Sequence, residues 1–250
     1  MKSKYAELYR MVMPDHLCPY GLKSKHLLES EGFKVEDHHL ETRTETDDFK
    51  EKHGVETTPQ TFIGGERVGG YDDLRVYLGK DKPKEERSNT SYQPVLTLFA
   101  TTLLMAIGAA FVATGEWFSL RLIEWFIAFS MCGLAYLKLR DVENFSIMFL
   151  NYDLLARRWV PYAYVYPFGE AFAGILMIPG GALGLIAAPV ALFIGTVGAI
   201  SVFKAVYIDK RELKCACVGG DSSVPLGFIS LTENLFMISM GIWMLVKTSM

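Results

Sequence analysis

Residues 16–22 have the sequence His-Leu-Cys-Pro-Tyr-Gly-Leu, in which a single cysteine, Cys18, comes directly before Pro19. Proline is favoured at the first position of a helix, so this pattern predicts a helix that begins at Pro19, with the Cys18 sulfur facing the unpaired N–H groups of its first turn. Those groups and the helix dipole stabilise negative charge. We therefore expect a lowered pKa at Cys18 and a thiolate, the species that attacks in thiol exchange.

The segments around this stretch alternate between strand and helix patterns. The periodicity of apolar residues and the turn residues predict strands at 6–13 and 33–40, helices at 19–31 and 47–53, a hairpin of strands 61–63 and 67–68, and a last helix that Asp72 caps and that runs through 78. Gly54 closes the second helix, and Gly64-Gly65 forms the hairpin turn. This order predicts an α/β domain with a thioredoxin-like fold.

The charge of the chain is unevenly distributed. Of its 53 Lys, Arg, Asp and Glu residues, 33 lie in residues 1–88 and only 20 in the remaining 162. The net charge of −3 and the lack of a basic patch interleaved with aromatic residues exclude a nucleic-acid partner. Charged residues interrupt the first 20 positions, so we expect no secretory signal and a cytoplasmic N-terminus. Four cysteines are too few for a disulfide scaffold, and their spacing indicates redox or metal chemistry.

The second part of the chain contains apolar runs long enough to span a bilayer. We predict an all-α bundle of about five transmembrane helices, at 94–114, 119–138, 159–178, 182–204 and 226–246. The stretch 140–158 is too short and too charged to span, and we expect an amphipathic helix at the membrane interface there. The predicted organisation is therefore a soluble domain at 1–80, a polar linker at 81–93 and a transmembrane domain at 94–250.

The positions of Lys and Arg predict the orientation of the membrane domain. They cluster before the first span, in the loop after the second (Lys138, Arg140, Arg157 and Arg158) and in the loop after the fourth (Lys210, Arg211 and Lys214). The opposite side carries only Arg121 and Lys247. We expect an inner (cytoplasmic) membrane protein, with the N-terminal domain and the loop of Cys215 and Cys217 on the cytoplasmic side.

The motifs of residues 5–80 resemble the glutaredoxin family. They are Cys-Pro-Tyr-Gly at 18–21, Thr-Thr-Pro-Gln-Thr-Phe-Ile-Gly-Gly at 57–65 and Gly-Gly-Tyr-Asp-Asp-Leu at 69–74. The resemblance implies a cis-proline at Pro59, and glutathione as a co-substrate rather than a tightly bound cofactor. The residues that it implies for glutathione are Tyr20, Thr58, Pro59, Gly70, Tyr71 and Asp72, with Thr58 bonding the peptide of glutathione and the last three holding its γ-glutamyl end.

Two positions depart from that pattern. Gly21 stands where dithiol members have a second cysteine, so Cys18 acts alone or is resolved by a thiol elsewhere in the chain. The usual basic residue upstream of the cysteine is replaced by residues 13–17, where His16 is a candidate replacement charge or a solvated loop histidine.

The membrane domain resembles the MauE group, relatives of the DoxX group, over residues 119–247. The motifs are Lys-Leu-Arg-Asp at 138–141, Tyr-Pro-Phe-Gly-Glu at 166–170 and Cys-Ala-Cys-Val-Gly-Gly at 215–220. On this pattern the first span is an addition to the family. The resemblance implies a link to methylamine utilisation and to the maturation of a disulfide-rich enzyme.

Cys215 and Cys217 form the second candidate site. With one residue between them, a disulfide is strained and easily exchanged, although the same pair is also a ligand set for a soft metal such as Cu(I), Zn or Hg. Glu170, Glu233 and Asn234 are polar residues inside predicted spans, and either handle protons or form hydrogen bonds that hold the bundle together. For Cys132 we expect only a packing role.

These observations predict a membrane-bound thiol–disulfide oxidoreductase of glutaredoxin type, which relays reducing equivalents between Cys18 and the pair Cys215 and Cys217. Its expected partners are membrane lipid and either glutathione or a protein disulfide. The alternative is a membrane carrier for a soft metal or a thiol conjugate that uses the same cysteines. A third hypothesis is an accessory maturation factor that only binds a partner.

Overall fold

The computed structural model describes residues 4–13, 16–81, 92–216 and 224–249. The chain divides into two compact units, Met1–Glu85 and Glu86–Met250, and the division falls inside the predicted linker. Most of that linker, residues 82–91, lies outside the described residues. The two units are described separately.

The first unit alternates strands and helices in the predicted order. Its elements are β1 Lys4–Met13, β2 His16–Leu17, α1 Pro19–Ser30, β3 Phe33–Leu40, α2 Arg43–His53, β4 Gln60–Ile63, β5 Glu66–Gly69 and α3 Tyr71–Tyr77. β1 is central and pairs in parallel with β3 and antiparallel with β4, while β4 pairs antiparallel with β5. The short β2 pairs with the end of β1 and leads to Cys18. This topology confirms the thioredoxin-like α/β fold.

The two faces of β1 bury different residues because side chains alternate along a strand. Ala6, Leu8 and Arg10 are buried on one face, and the first two join a core with residues of α1 and α3. Tyr9 lies on the other face, where its ring stacks on Phe49 of α2 with the centroids 4.7 Å apart. The strand therefore places a charged residue, Arg10, at the end of an apolar row.

Two helix starts differ from the prediction. α2 begins at Arg43 rather than at 47, because Thr42 and Glu45 form a capping box: the Thr42 hydroxyl accepts from the Glu45 N–H, and the Glu45 carboxylate accepts from the Thr42 N–H. α3 begins one residue before Asp72, so capping by Asp72 is wrong. Gly70 is the N-cap residue there, and the Asp73 carboxylate accepts its N–H at 3.2 Å.

The named elements in the described part of the second unit are all helices. Its elements are α4 Gln93–Thr114, α5 Leu120–Arg140, α6 Val142–Phe149, α7 Pro161–Met177, α8 Gly181–Phe203 with a π-helical continuation over Lys204–Ile208, and α9 Phe228–Ser249. Among the described residues, four helices are long and apolar enough to cross a membrane: α4, α5, α8 with its continuation, and α9. α7 coincides with the remaining predicted span and has 17 residues. The all-α membrane domain with about five spans is confirmed.

The segment 140–158 differs from the expected interfacial helix. α6 occupies only eight of these residues, and every residue of Asn144–Phe149 is buried. An interfacial helix keeps one polar face in water, whereas α6 packs against α7 and contributes Phe145 and Phe149 to the interior.

The helices of the second unit pack around α5 and α8. α5 contacts α4, α7 and α9, and α8 contacts α7 and α9. Small residues on α8 permit a close approach to α9: a Cβ at Gly195 would lie 3.0 Å from the Asn234 carbonyl oxygen. Trp125 donates to the Ile178 carbonyl at 2.7 Å, which satisfies a carbonyl at the end of α7.

Candidate functional site

The first candidate site is Cys18, the N-cap residue of α1. Its backbone N–H donates to the Met11 carbonyl at 3.4 Å, which links the start of α1 to β1. Cys18 is a free thiol and is 7% exposed, so most of its surface is removed from water.

Burial has the largest effect on the Cys18 thiol and raises its pKa above the ordinary value. The backbone N–H groups of Gly21 and Tyr20 and the positive charge of Arg10 lower the pKa by less. The expectation of a lowered pKa from the helix start alone is therefore wrong, because it omits the cost of ionising a buried sulfur.

Arg10 is the basic residue near Cys18, and sequence reasoning did not find it. Its guanidinium donates from Nε and Nη2 to the two oxygens of Asp37 at 2.7 and 2.8 Å, and Nη2 lies 3.0 Å from His39 Nε2. These bonds hold the pKa of Asp37 below its usual range, against the effect of burial, which raises it. The alternation of Ala6, Leu8 and Arg10 in β1 was the signal that could have revealed it. The side chain of His16 lies outside the described part.

Arg10 also accounts for the glycine at position 21. A Cβ placed on Gly21 would lie 2.8 Å from the Arg10 Cβ and 3.0 Å from its Cδ. Any side chain there, including a second cysteine, would have to displace a buried and paired arginine. Arg10 thus leaves no room for a second cysteine at position 21.

A groove of about 400 Å³ lies in the first unit. All six residues that the glutaredoxin resemblance implies for glutathione line it: Tyr20, Thr58, Pro59, Gly70, Tyr71 and Asp72. Thr57, Gln60 and Asp73 complete the lining. The peptide bond between Thr58 and Pro59 is cis, as the resemblance implies. Lys23, which the sequence reasoning missed, is buried with its Nζ 5.2 Å from the centre of the Tyr71 ring.

The second candidate site is Cys215, which is disulfide-bonded and fully buried. Its N–H donates to the Val224 carbonyl at 2.7 Å, and Lys214 and Pro225 form a β-bridge beside it. The Ser230 hydroxyl at the start of α9 donates to the Cys215 sulfur at 2.9 Å. Cys217 falls in residues 217–223, outside the described residues.

A buried charge cluster lies in the same unit. Lys138 of α5 donates to Glu170 of α7 at 2.7 Å and to Glu233 of α9 at 2.5 Å. The side chains of these three residues, which we call the charge cluster, are at most 6% exposed. The Tyr166 ring lies 5.4 Å from the Lys138 ammonium. Lys138 was counted as a loop charge in the sequence, and the structure corrects this: it is the cation that joins the two intramembrane carboxyls.

Cys215 shares one small cavity of about 20 Å³ with Lys138 and Glu233 of the charge cluster. Besides Cys215, the residues that line it are Lys138, Phe145, Phe149, Tyr152, Tyr166, Gly198, Ser230, Glu233 and Asn234. Tyr152 is tied to the cysteine segment because its hydroxyl oxygen accepts the Ala216 N–H. Four separate parts of the fold thus bring polar groups next to one sulfur.

Asn234 is the third predicted intramembrane polar residue. Its amide nitrogen donates to the Ser230 carbonyl at 2.6 Å, whereas its Oδ1 is buried and has no hydrogen-bond partner among the described residues. Gly198 of α8 leaves the space for this side chain, because a Cβ at Gly198 would overlap Asn234 Oδ1.

Two further observations concern the other predicted sites. Within the described ranges, no group of three His, Cys, Asp or Glu side chains is arranged to hold a metal ion. Cys132 is a free thiol between α5 and α7, where a Cβ at Gly174 would lie 2.9 Å from its sulfur.

Comparison with known families covers both units. The model of the family described as methylamine utilisation protein MauE matches residues 96–247, more than half of the chain. The chain belongs to the MauE family. The match begins at 96, so the first span, α4, is part of this MauE domain and not an addition to it. A glutaredoxin family model matches residues 6–68, so the chain is a glutaredoxin domain followed by a MauE domain.

A similar protein is the hybrid peroxiredoxin hyPrx5 of Haemophilus influenzae. It is 38% identical over 61 residues, which are 24% of this chain and 25% of that protein. The match thus spans about a quarter of the length of that relative. Together, the glutaredoxin domain, the MauE domain and this relative support a thiol redox role in a multi-pass membrane protein.

Proposed function

We propose that this MauE-family protein is a membrane-bound thiol–disulfide oxidoreductase that moves reducing equivalents between Cys18 and a disulfide of Cys215 with Cys217. The observation that carries the proposal is the contrast between the two sites: Cys18 is a free thiol without a neighbouring second cysteine, and Cys215 is already in a disulfide.

The chemistry requires a second thiol for each turnover at Cys18. When the Cys18 thiolate attacks a disulfide, a bond forms between Cys18 and the attacked sulfur, the old S–S bond breaks, and the released sulfur takes up a proton. A further thiol must then attack the mixed disulfide to free Cys18. Gly21 cannot supply that thiol, so a cysteine of the MauE domain or glutathione must do so.

Burial suggests which sulfur is attacked. The Cys215 sulfur is buried and accepts a hydrogen bond from Ser230. Burial hinders attack on this sulfur, and the hydrogen bond stabilises the thiolate that forms when Cys215 is the leaving group. We infer that Cys18 attacks the Cys217 sulfur and that Cys215 leaves. In the reverse direction, the reduced pair attacks Cys18 when that thiol carries glutathione.

Glutathione is the proposed co-substrate of the first domain. The groove of about 400 Å³ has room for an extended tripeptide, and Thr58, Gly70 and Asp72 line it. The matching relative is named a hybrid peroxiredoxin, and this name supports a redox role for the matched residues of this chain.

Disulfide trapping tests the relay. In full-length protein in detergent treated with oxidised glutathione, the Cys217 thiol of the Cys215→Ser variant attacks glutathionylated Cys18 and releases glutathione, so we expect a Cys18–Cys217 mixed disulfide in non-reducing peptide mass spectrometry. Cys217→Ser is expected to give less of the Cys18–Cys215 product, because Cys215 is buried. Cys132→Ser is the matched control, since it removes a thiol that the proposal does not use.

Absence of any Cys18-linked peptide in both variants would contradict the relay. Stoichiometric binding of a soft metal that Cys215→Ser abolishes, in a protein without exchange activity, would instead favour the carrier alternative. Electrophoresis of a mixture of tagged and untagged chains distinguishes exchange within one chain from exchange between chains.

A further inference from the structure

The charge cluster of Lys138, Glu170 and Glu233 has no role in the relay as stated so far. Three charged side chains from three helices are buried together, and each costs free energy to remove from water. Uncharged polar contacts are enough to hold two helices together: the hydroxyl oxygens of Thr102 in α4 and Ser130 in α5 lie 3.0 Å apart. Because the cluster lies beside a disulfide-bonded cysteine, a role in the chemistry of that cysteine would account for its cost.

The charge balance of the cluster indicates that it holds a proton. One ammonium neutralises one of the two carboxylates, so the fully ionised cluster carries a net negative charge in an interior of low dielectric constant. One proton shared between Glu170 and Glu233 makes the cluster neutral. Glu170 Oε1 has no hydrogen-bond partner among the described residues, so that oxygen is available to carry such a proton.

The cavity between the cluster and Cys215 is large enough for one water molecule. A water needs about 10 to 15 Å³ of such space and two to four polar partners, and this cavity has about 20 Å³. Glu233, Ser230 and Asn234 line it, and the buried Oδ1 of Asn234 has no hydrogen-bond partner among the described residues. The Ser230 hydroxyl already donates to the Cys215 sulfur at 2.9 Å, so the polar groups extend from the carboxyls to the sulfur.

We propose that the charge cluster is the proton donor and acceptor of Cys215, acting through Ser230 and a water in the shared cavity. This inference rests on the proposed function. When a thiolate attacks the partner sulfur, a new S–S bond forms, the bond to Cys215 breaks, and its electron pair stays on the Cys215 sulfur. The cluster then gives that sulfur its proton and later regains one from the aqueous phase. During oxidation the same proton returns from the Cys215 thiol to the cluster.

Titratable groups near Cys215 come from three helices and from the segment between α6 and α7, whereas α8 contributes only Gly198 to the cavity lining. They are Lys138 of α5, Tyr166 and Glu170 of α7, Glu233 of α9, and Tyr152 and Asp153 of the segment between α6 and α7. Tyrosine ionises only in strongly basic solution. Burial raises the pKa of Asp153 to about 6, but its carboxylate accepts from the Leu155 and Ala156 N–H groups at 3.0 and 2.8 Å and does not line the cavity beside Cys215. Glu233 is thus the carboxyl of the cluster that lines the cavity beside Cys215.

The test measures oxidation of Cys215 without Cys18. In full-length Cys18→Ser/Cys132→Ser protein, the disulfide is reduced with a phosphine, the phosphine is removed, and an excess of oxidised glutathione then reoxidises the pair. Alkylation and mass spectrometry follow the rate from about pH 6 to about pH 9, which brackets the titration of an ordinary thiol. We expect Glu233→Gln to slow oxidation at neutral pH by at least about tenfold, in line with the loss of a general base, and to change the pH profile.

Two further variants complete the design. Glu124→Gln is the matched control, because Glu124 is an equally buried carboxyl of the same unit that bonds Trp243 and Lys247 instead, and its rate should stay within about twofold of the parent. The variant Lys138→Met/Glu170→Gln/Glu233→Gln removes every charge together, so it avoids an unpaired buried ion. It should be as slow as Glu233→Gln.

Parent-like rates and pH profiles in Glu233→Gln and in the neutral triple variant would overturn the proposal. Since this assay contains no Cys18 and uses small reagents, its failure leaves the trapping result untouched. Conversely, a failed trapping experiment with a slow Glu233→Gln variant would refute the relay and retain the proton site.

Discussion

At the scale of single residues, the reactivity of Cys18 is set by opposing effects. Burial disfavours the thiolate, while Arg10 and two backbone N–H groups favour it, and burial is the largest of these effects. An isolated helix start would give the reverse outcome. Cys18 is therefore mostly a protonated thiol at neutral pH, and it reacts through a small ionised fraction.

This balance predicts the pH dependence of Cys18 alkylation. Because burial raises the pKa of the thiol, the iodoacetamide reaction in Cys132→Ser protein with its disulfide intact should keep accelerating beyond about pH 9. The rate is measured by mass spectrometry of the Cys18 peptide. The same chain in denaturant, where burial is lost, is the control and should level off at a lower pH. A midpoint below about pH 8 in the folded protein would contradict the prediction.

Sequence reasoning found the reactive cysteine but not the charges around it. Cys18 precedes a proline, which is a local signal, whereas Arg10 reaches the site through the pairing of β1 with β3, where Asp37 lies. Lys138 is 32 residues from Glu170 and 95 residues from Glu233, so no local pattern connects them. The carboxyls stood out only because each interrupts an apolar run.

At the scale of elements, the contact of α8 with α9 positions the second site. Gly198 leaves space for the Asn234 side chain. The Asn234 amide donates to the Ser230 carbonyl, and the Ser230 hydroxyl donates to the Cys215 sulfur. A side chain at position 198 would therefore disturb both the packing of the two helices and the geometry at the sulfur.

This contact predicts the effect of one methyl group. Gly198→Ala should destabilise the membrane domain by about 1 to 3 kcal/mol, the usual cost of overpacking, and lower its unfolding temperature in detergent. Gly227→Ala is the matched control, because a Cβ there would meet nothing within 4 Å. The measurement is thermal unfolding followed by tryptophan fluorescence. Equal unfolding temperatures for the two variants would contradict the prediction, because they would show that α9 shifts to accommodate the methyl group without loss of stability.

The elements themselves were largely predictable, and the failures have physical causes. Long apolar runs gave the helices of the second unit within a few residues, since a spanning helix has a length fixed by the bilayer. The segment 140–158 was misjudged because its charges suggested an interface, although its apolar residues are packed inside the unit as α6. The early start of α2 was visible as Thr42 and Glu45, a capping box three residues apart.

At the scale of the whole molecule, the orientation in the membrane remains a prediction that the structure refines. Lys138 is buried and therefore no longer counts among the positive charges of the loop. Arg140, Arg157 and Arg158 still count on the proposed cytoplasmic side. On the opposite side, Arg121 and Lys247 both pair with Glu124. The bias of positive charge persists without Lys138.

Cysteine labelling tests this orientation. In a chain without native cysteines, Glu116→Cys lies between the first two spans and Ser222→Cys in the loop after the fourth. We expect a membrane-impermeant maleimide to label Glu116→Cys in intact bacterial spheroplasts and Ser222→Cys only after lysis. Labelling of Ser222→Cys in intact spheroplasts would place its loop on the outer side and contradict the proposal.

The buried position of Lys138 has a consequence for the synthesis of the protein. The ribosome completes α5 before it makes Glu170, and it makes Glu233 only near the end of the chain. Lys138 lies in the last turn of α5, where a lysine can extend its ammonium to the membrane surface while the helix inserts. The ammonium is therefore unpaired when α5 enters the bilayer; α7 then supplies the first carboxylate and α9 the second. A nascent chain that stops before α7 keeps an unpaired lysine, a feature by which cellular quality control can distinguish it from the finished protein.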